Sequence, residues 1–299
     1  MRKILLTGVN GQVGHALKSK LTEYEVIALS REQLDLTKIH DIRRVVREIK
    51  PNIIINPAAY TAVDKAESEP ELAFAINATA AQILAEEAAR LGAALIHFST
   101  DYVYDGTKKT PYVESDEVNP VSVYGKSKLA GEVAIRAVGL PHLILRTSWV
   151  YGAYGKNFLK TILRLAAERD TLRIVGDQVG APTSSESIAN AVVQLVDIWK
   201  PTQEIQTGIV HFTNTGETSW YGFSCEIVNQ YNKLMISKDW PALKVDVKNI
   251  APITTANYPT PAARPVNSRL NNVKLKQMFD VQLPAWEHAL QQVMQSLIL

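Results

Sequence analysis

The chain has 299 residues, of which 46% are apolar and 21% charged, and its formal net charge is +2. This is the balance of an ordinary globular protein long enough to bury a substantial core, and it excludes a disordered or fibrous chain. A net charge so close to zero offers no long-range pull toward nucleic acid or an acidic membrane. The elements alternate from the first residues onward. KILLT (3–7), EVIALS (25–30), NIIIN (52–56), ALIHFS (94–99) and LILRTS (143–148) are continuous apolar runs, the pattern of strands buried on both faces of a parallel sheet. Between them, QVGHALKSKL (12–21), TKIHDIRRVVREIK (37–50), PELAFAINATAAQILAEEAARLG (70–92) and VYGKSKLAGEVAIRAVG (123–139) carry helical periodicity. Gly92 and Gly139 stand where helices stop, and Pro51 follows another.

Strand–helix–strand repetition implies an α/β fold, a Rossmann-type doubly wound parallel sheet. After residue 150 the alternation loosens. NFLKTILRLAAER (157–169) and SESIANAVVQLVDIW (185–199) read as helices, and LRIV (172–175) and TGIVHFT (207–213) as strands. YPTPAARPVNSRL (258–270) carries Pro259, Pro261 and Pro265 and is too irregular for a regular element. The expected organisation is a dinucleotide-binding domain over 1–150 and a smaller C-terminal substrate-binding lobe over 151–299, some segments of which return to the sheet.

The lone cysteine, Cys225, excludes an internal disulfide and fits a reducing compartment. No apolar run approaches the roughly 20 residues needed to span a bilayer. The opening MRKILLTG has too few apolar residues for a signal peptide, so a cytoplasmic location is expected. The six histidines are scattered without the spacing of a zinc site, and no metal is expected.

The chemistry begins at the first turn. KILLTGVNGQVG sets Gly8, Gly11 and Gly14, with Gln12 and Val13, between a strand and a helix, where a pyrophosphate can approach backbone amides at the helix N-terminus. The spacing is G-x-x-G-x-x-G, a variant of the general dinucleotide fingerprint. At the end of the second strand, an acid would bind adenosine ribose hydroxyls and repel a 2′-phosphate. Ser30 and Arg31 stand there instead, so NADP(H) is the expected cofactor, with NAD(H) a weaker alternative. Asp35 and Leu36 either flank the adenine or, for Asp35, simply open the next turn. The third strand ends in Ala58, Ala59, Tyr60 and Thr61, small residues first, which permits close passage of the cofactor. The fourth ends in Phe98, Ser99 and Thr100, where the hydroxyls lie over the expected nicotinamide. In SVYGKSKLA, Tyr124 and Lys128 are four apart on one helix face, so a phenol and an ammonium share one space.

GVNGQVG, NPAAYTAVDKAESEPE, FSTDYVYDG, NPVSVYGKSKLAGE, RTSWVYG and PTPAARPVNSRL, in that order, resemble the extended short-chain dehydrogenase/reductases. Within them the set is most similar to the dTDP-4-dehydrorhamnose reductases, from residue 1 to the C-terminal helix. The resemblance implies that NADPH reduces the C4 keto group of dTDP-4-dehydro-L-rhamnose, with Tyr124 as proton donor and Thr100 orienting the substrate. Lys128 would hold the nicotinamide ribose and lower the tyrosine pKa. Moving a phenol from about 10 to near 7 takes roughly 4 kcal/mol, and an ammonium at about 4 Å supplies energy of that order at an effective dielectric of 20. Sugar-nucleotide dehydratases place an Asp–Glu pair after the threonine, whereas here Tyr102 follows Asp101. Epimerases share the Tyr and Lys and stay open as an alternative, as does a non-catalytic regulatory subunit resembling the partner of methionine adenosyltransferase. The resemblance also implies that Trp149 walls the sugar, and that Thr100, Asp101, Asn157, Arg264, Asn267, Ser268 and Arg269 are candidates to meet a dTDP-sugar. Some relatives dimerise around magnesium. Glu186 and Glu287 match some of that site, but Ala16 stands where a glutamate is expected. A homodimer is therefore expected only by resemblance.

Overall fold

The continuous apolar runs need cover on both faces, and a parallel sheet with helices on each side gives it. The computed structural model describes residues 2–198 and 207–297. Its central sheet contains β1 (Lys3–Leu6), β2 (Glu25–Ala28), β3 (Ile53–Asn56), β4 (Ala94–Thr100), β5 (His142–Thr147) and β6 (Gly208–His211). The strand order is β2-β1-β3-β4-β5-β6, every pair parallel. The order reverses between β1 and β3, and a crevice opens at such a switch point beyond the carboxyl ends of the strands. The sixth strand comes from the TGIVHFT run, more than sixty residues beyond β5, so the second half of the chain completes the sheet.

The two faces carry separate cores. On one, α1 (Gln12–Lys20) packs against α2 (Ser185–Ile198) over Ile4, Leu6, Ile53, Ile55, Ile96 and Leu145. The Trp199 end of the expected helix lies outside the described residues. On the other face, the helices Ile39–Ile49, Ala80–Leu91 and Val123–Val138 cover Leu5, Ile54, Leu95 and Ile144. A third core, around Tyr151, Phe223, Tyr231 and Trp286, belongs to the later helices Phe158–Glu168, Trp220–Leu234 and Trp286–Ser296.

Two departures from simple periodicity matter for the site. The long helix expected over 70–92 contains a π-helical turn at Ala75–Thr79, between Pro70–Phe74 and Ala80–Leu91. That turn presents the buried Asn77, whose side-chain carbonyl accepts from the Tyr60 N–H at 2.8 Å and whose amide donates to the Tyr60 carbonyl and to Ser127. It thereby clips the loop after β3 to the helix carrying Tyr124. The irregular proline-rich segment includes a two-residue strand, Asn267–Ser268, paired parallel with Val179–Gly180.

Candidate active site

Helix α1 begins without a side-chain cap: Gly11 occupies the N-cap and the first turn holds no acid. This amide end faces a cleft of about 810 Å³ over the carboxyl ends of the strands. Unsatisfied N–H groups at a helix start, carrying partial positive charge, suit a pyrophosphate. The turn is tight enough to demand glycine. Gly8 has φ +60° and an added Cβ would lie 2.8 Å from Ala58 Cα, while one on Gly14 would meet the Gly8 carbonyl oxygen at 2.2 Å. The cleft walls fit the remainder of a dinucleotide. Gln12, Val13, Arg31, Asp35, Leu36, Ala58, Ala59, Tyr60, Thr61 and Phe98 all line it. Ser30 does not, because its hydroxyl turns to Glu32 at 2.6 Å.

At the far end of the cleft the ends of β4 and β5 meet the helix Val123–Val138. Ser122 caps that helix, accepting from the Gly125 N–H at 3.1 Å. Gly125 is needed for approach: a Cβ there would stand 2.2 Å from the Tyr102 carbonyl oxygen. Gly131, further along the helix, permits the same closeness, since a Cβ there would stand 2.2 Å from the Asn77 carbonyl oxygen. The helix is thus pressed onto the end of β4 and the π turn, which brings Thr100, Tyr124 and Lys128 to one cavity.

The electrostatics differ from the expectation on one point. Burial pushes the Tyr124 phenol up to about 12, opposed by the Thr100 hydroxyl and reinforced by Asp101. Lys128 is not among the groups that act on this phenol, so the expected lowering does not arise there. The Lys128 amine is drawn toward the sheet, donating to the Phe98 carbonyl at 2.7 Å and lying 3.3 Å from His97 Nε2. Burial also brings Lys128 down to about 8, against the pull of Glu132. A phenol that holds its proton this firmly suits an acid that releases it only to a stronger base, such as a developing alkoxide.

The substrate end is shaped by strain and stacking. Trp149 has φ +48°, a left-handed conformation that costs a bulky residue about 1–3 kcal/mol. Its ring stacks on Trp220 with centroids 3.6 Å apart, and Gly180 lies beneath it, where a Cβ would come within 2.7 Å of the indole. Trp149, Thr100, Asp101 and Asn157 line the cleft. Asn157 also caps the helix Phe158–Glu168, and its amide donates to Gln12 and the Gly152 carbonyl. Arg264, Asn267 and Arg269 do not line the cleft. Arg264 pairs with Asp64 at 2.7 Å, near enough to Tyr102 for both charges to act on that phenol. Arg269 is held by Glu217, Asn267 and the Lys109 carbonyl, and the Asn267 amide donates to the carbonyls of Lys108 and Thr110. These groups satisfy one another and pin the proline-rich segment. Ser268 reaches Asp101 instead, its hydroxyl bonding that carboxyl.

This arrangement has close counterparts. The RmlD substrate binding domain model matches residues 1–298. The dTDP-4-dehydrorhamnose reductase of Burkholderia thailandensis is 44% identical, covering 96% of each chain. That of Escherichia coli K12 is 41% identical, over 98% of this chain and 97% of its own. The chain belongs to the dTDP-4-dehydrorhamnose reductase family. A solved family member, the Bacillus anthracis enzyme in complex with NADP, superposes with a TM-score of 0.89 at 36% identity, covering 98% of this chain and 99% of the other.

Several residues in this reductase-family cleft were not singled out from sequence. Asn10, Thr7, Pro57, Ile76, Tyr102, Thr147 and Lys156 line it as well. Beneath it lies a buried ion pair: Glu132 accepts from Arg146 at 2.6 Å and from Ser99, and Arg146 also donates to Tyr104. The available signal was polarity inside apolar runs. Asn56 in NIIIN, His97 in ALIHFST and Arg146 in LILRTS each interrupt a buried strand, and a buried polar group needs partners.

Proposed function

We propose that this chain reduces the C4 keto group of dTDP-4-dehydro-L-rhamnose to give dTDP-L-rhamnose, with NADPH as the preferred reductant. The observation that carries the reading is the convergence of the uncapped α1 terminus, Thr100, Tyr124 and Lys128 on one cleft in a member of this family. The nicotinamide cofactor supplies the hydride when bound. The residues of 1–150 hold it: Gly8, Gly11 and Gly14 cradle the pyrophosphate, Arg31 lies along the wall for the adenosine end, and Lys128 takes the nicotinamide ribose. On the substrate side the cleft is lined mainly by Thr100, Asp101, Tyr124 and Trp149, with Gly155, Lys156 and Asn157 from 151–299.

Thr100, whose hydroxyl donates to Asp101 in the structure, would turn that proton to the substrate carbonyl and hold it next to the Tyr124 hydroxyl. As negative charge grows on that oxygen, it becomes a stronger base than the phenolate and takes the Tyr124 proton. General acid assistance of this kind is worth about 10²- to 10⁴-fold. Asp101 cannot support dehydration by itself, since its carboxyl has no acidic neighbour at Tyr102 and is held by Thr100 and Ser268. Trp149 forms the sugar wall; Arg264, outside the cleft lining and paired with Asp64 near Tyr102, would meet a substrate phosphate only by exchanging Asp64 for it. The test is optical: NADPH oxidation on adding dTDP-4-dehydro-L-rhamnose, with the product identified by mass. A rate no greater than that without the sugar nucleotide overturns the assignment.

A further inference from the structure

Below the floor of the cleft, four polar side chains form an unbroken line through the sheet. Thr7 Oγ1 donates to Asn56 Oδ1 at 2.6 Å, Asn56 Nδ2 faces His97 Nδ1 at 3.1 Å, and His97 Nε2 faces Lys128 Nζ at 3.3 Å. All four residues are at most 2% exposed. Thr7 and Lys128 line the cleft, at the glycine turn and beside Tyr124 respectively, so the line starts and finishes at the site.

The donors and acceptors constrain one another. An amide nitrogen only donates, so with Asn56 Nδ2 toward it His97 Nδ1 must accept, and a neutral imidazole then carries its proton on Nε2. That proton points at Lys128. An ammonium has no lone pair to receive it, whereas a neutral amine has one, and it still donates to the Phe98 carbonyl. The reverse arrangement serves the ammonium. Turning the Asn56 amide over brings Oδ1 to a proton on Nδ1, leaves Nε2 free to accept from a Lys128 ammonium, and makes the amide nitrogen a donor to Thr7. The ammonium fits only the second arrangement, because against Nε2–H it sets two donors face to face, which is costly where water is excluded; the amine, with two N–H groups and a lone pair, is compatible with both and takes the first, in which Thr7 keeps Asn56 Oδ1 as its acceptor.

We propose that Thr7, Asn56 and His97 are positioning residues that couple the tautomer of His97 to the charge on Lys128. One proton leaves Lys128 as it becomes the amine, and the imidazole keeps a single proton throughout, moved from Nδ1 to Nε2. Other charged and titratable groups bear on the pair. On the helix of Lys128 these are Glu132, one turn on and paired with Arg146 of β5, and Tyr124; Asp101 follows β4. Burial and the neighbouring lysine hold His97 well below its ordinary pKa, in keeping with an imidazole that never becomes a cation. The coupling concerns this chain alone and does not depend on which sugar nucleotide is reduced.

The decisive experiment is nitrogen-15 NMR of histidine-labelled protein without cofactor, followed from about pH 6 to 10, with the His97→Gln spectrum used to assign His97. The expected result is a change of His97 from the Nδ1–H to the Nε2–H tautomer as the pH rises through the Lys128 transition, without an imidazolium signal. Lys128→Met should abolish the change. Asn56→Asp, which offers only acceptors to Nδ1, should hold the Nδ1–H tautomer across the range and move the basic limb of the kcat/KM profile upward by at least half a pH unit. A single tautomer at every pH in the wild-type chain overturns the proposal. So does an unmoved basic limb in folded Asn56→Asp, and if that variant fails to fold, the wild-type tautomer series decides alone.

Discussion

Replacing Asp101 by asparagine should stabilise the cofactor-free protein at neutral pH. Asp101 is buried, and burial raises its carboxyl from 3.8 to about 6, only partly offset by bonds from Ser268 and Thr100. One of its oxygens, Oδ2, has no hydrogen-bond partner among the described residues. The folded carboxyl therefore holds its proton to a higher pH than the unfolded one. Its contribution to stability is full below about pH 3.8 and is lost as the pH rises through about 6. The gap between the two values corresponds to about 3 kcal/mol once the group is ionised. An amide keeps an oxygen for Thr100 and carries no charge, so Asp101→Asn should recover about 1–3 kcal/mol at pH 7.5 and almost nothing at pH 4. Urea unfolding of both proteins at half-unit intervals from pH 4 to 8 measures this, and the difference between them cancels every other titrating group. A difference that does not vary with pH, or a variant less stable than wild type at pH 7.5, would refute the reasoning. If the gain appears together with a loss of activity, the buried carboxyl with its one unpartnered oxygen is a case of stability given up at a working site.

Three further outcomes are expected. Tyr124→Phe keeps the ring that packs edge-on against Tyr102 but removes the acid, so kcat should fall about 10²- to 10⁴-fold while NADPH affinity by fluorescence titration stays within about two-fold; retention of half the wild-type rate would show another donor. Arg31→Ala should lower the ratio of kcat/KM for NADPH over NADH by roughly 5- to 30-fold, from a charge-assisted contact of about 1–2 kcal/mol. An unchanged ratio would make Arg31 only a surface charge. Glu132→Gln leaves the buried Arg146 guanidinium without its carboxylate, and urea unfolding should show a loss of about 3–5 kcal/mol, against less than 1 if the pair is dispensable.

Much of this protein was legible in its sequence because the signals are local. Continuous apolar runs have no alternative to a doubly covered sheet, and five of the six strands stand out on that ground alone. The glycines of GVNGQVG follow from a turn that admits no Cβ, and Tyr124 and Lys128 share a face because helix geometry places i and i+4 together. The sixth strand was readable as a strand, but its pairing with β5 follows from the packing of segments sixty residues apart. Tertiary structure alone decided which partner each charge meets. Arg264 and Arg269 look alike in RPVNSR, yet one pairs with Asp64 near Tyr102 and the other is held by Glu217 and Asn267. The same holds for Lys128, whose spacing from Tyr124 is set by the helix but whose amine is aimed by Phe98 and His97 on β4. Periodicity along the chain fixes which residues share a face; the direction and charge of a buried side chain depend on partners brought from other strands, because without water only those partners can satisfy it.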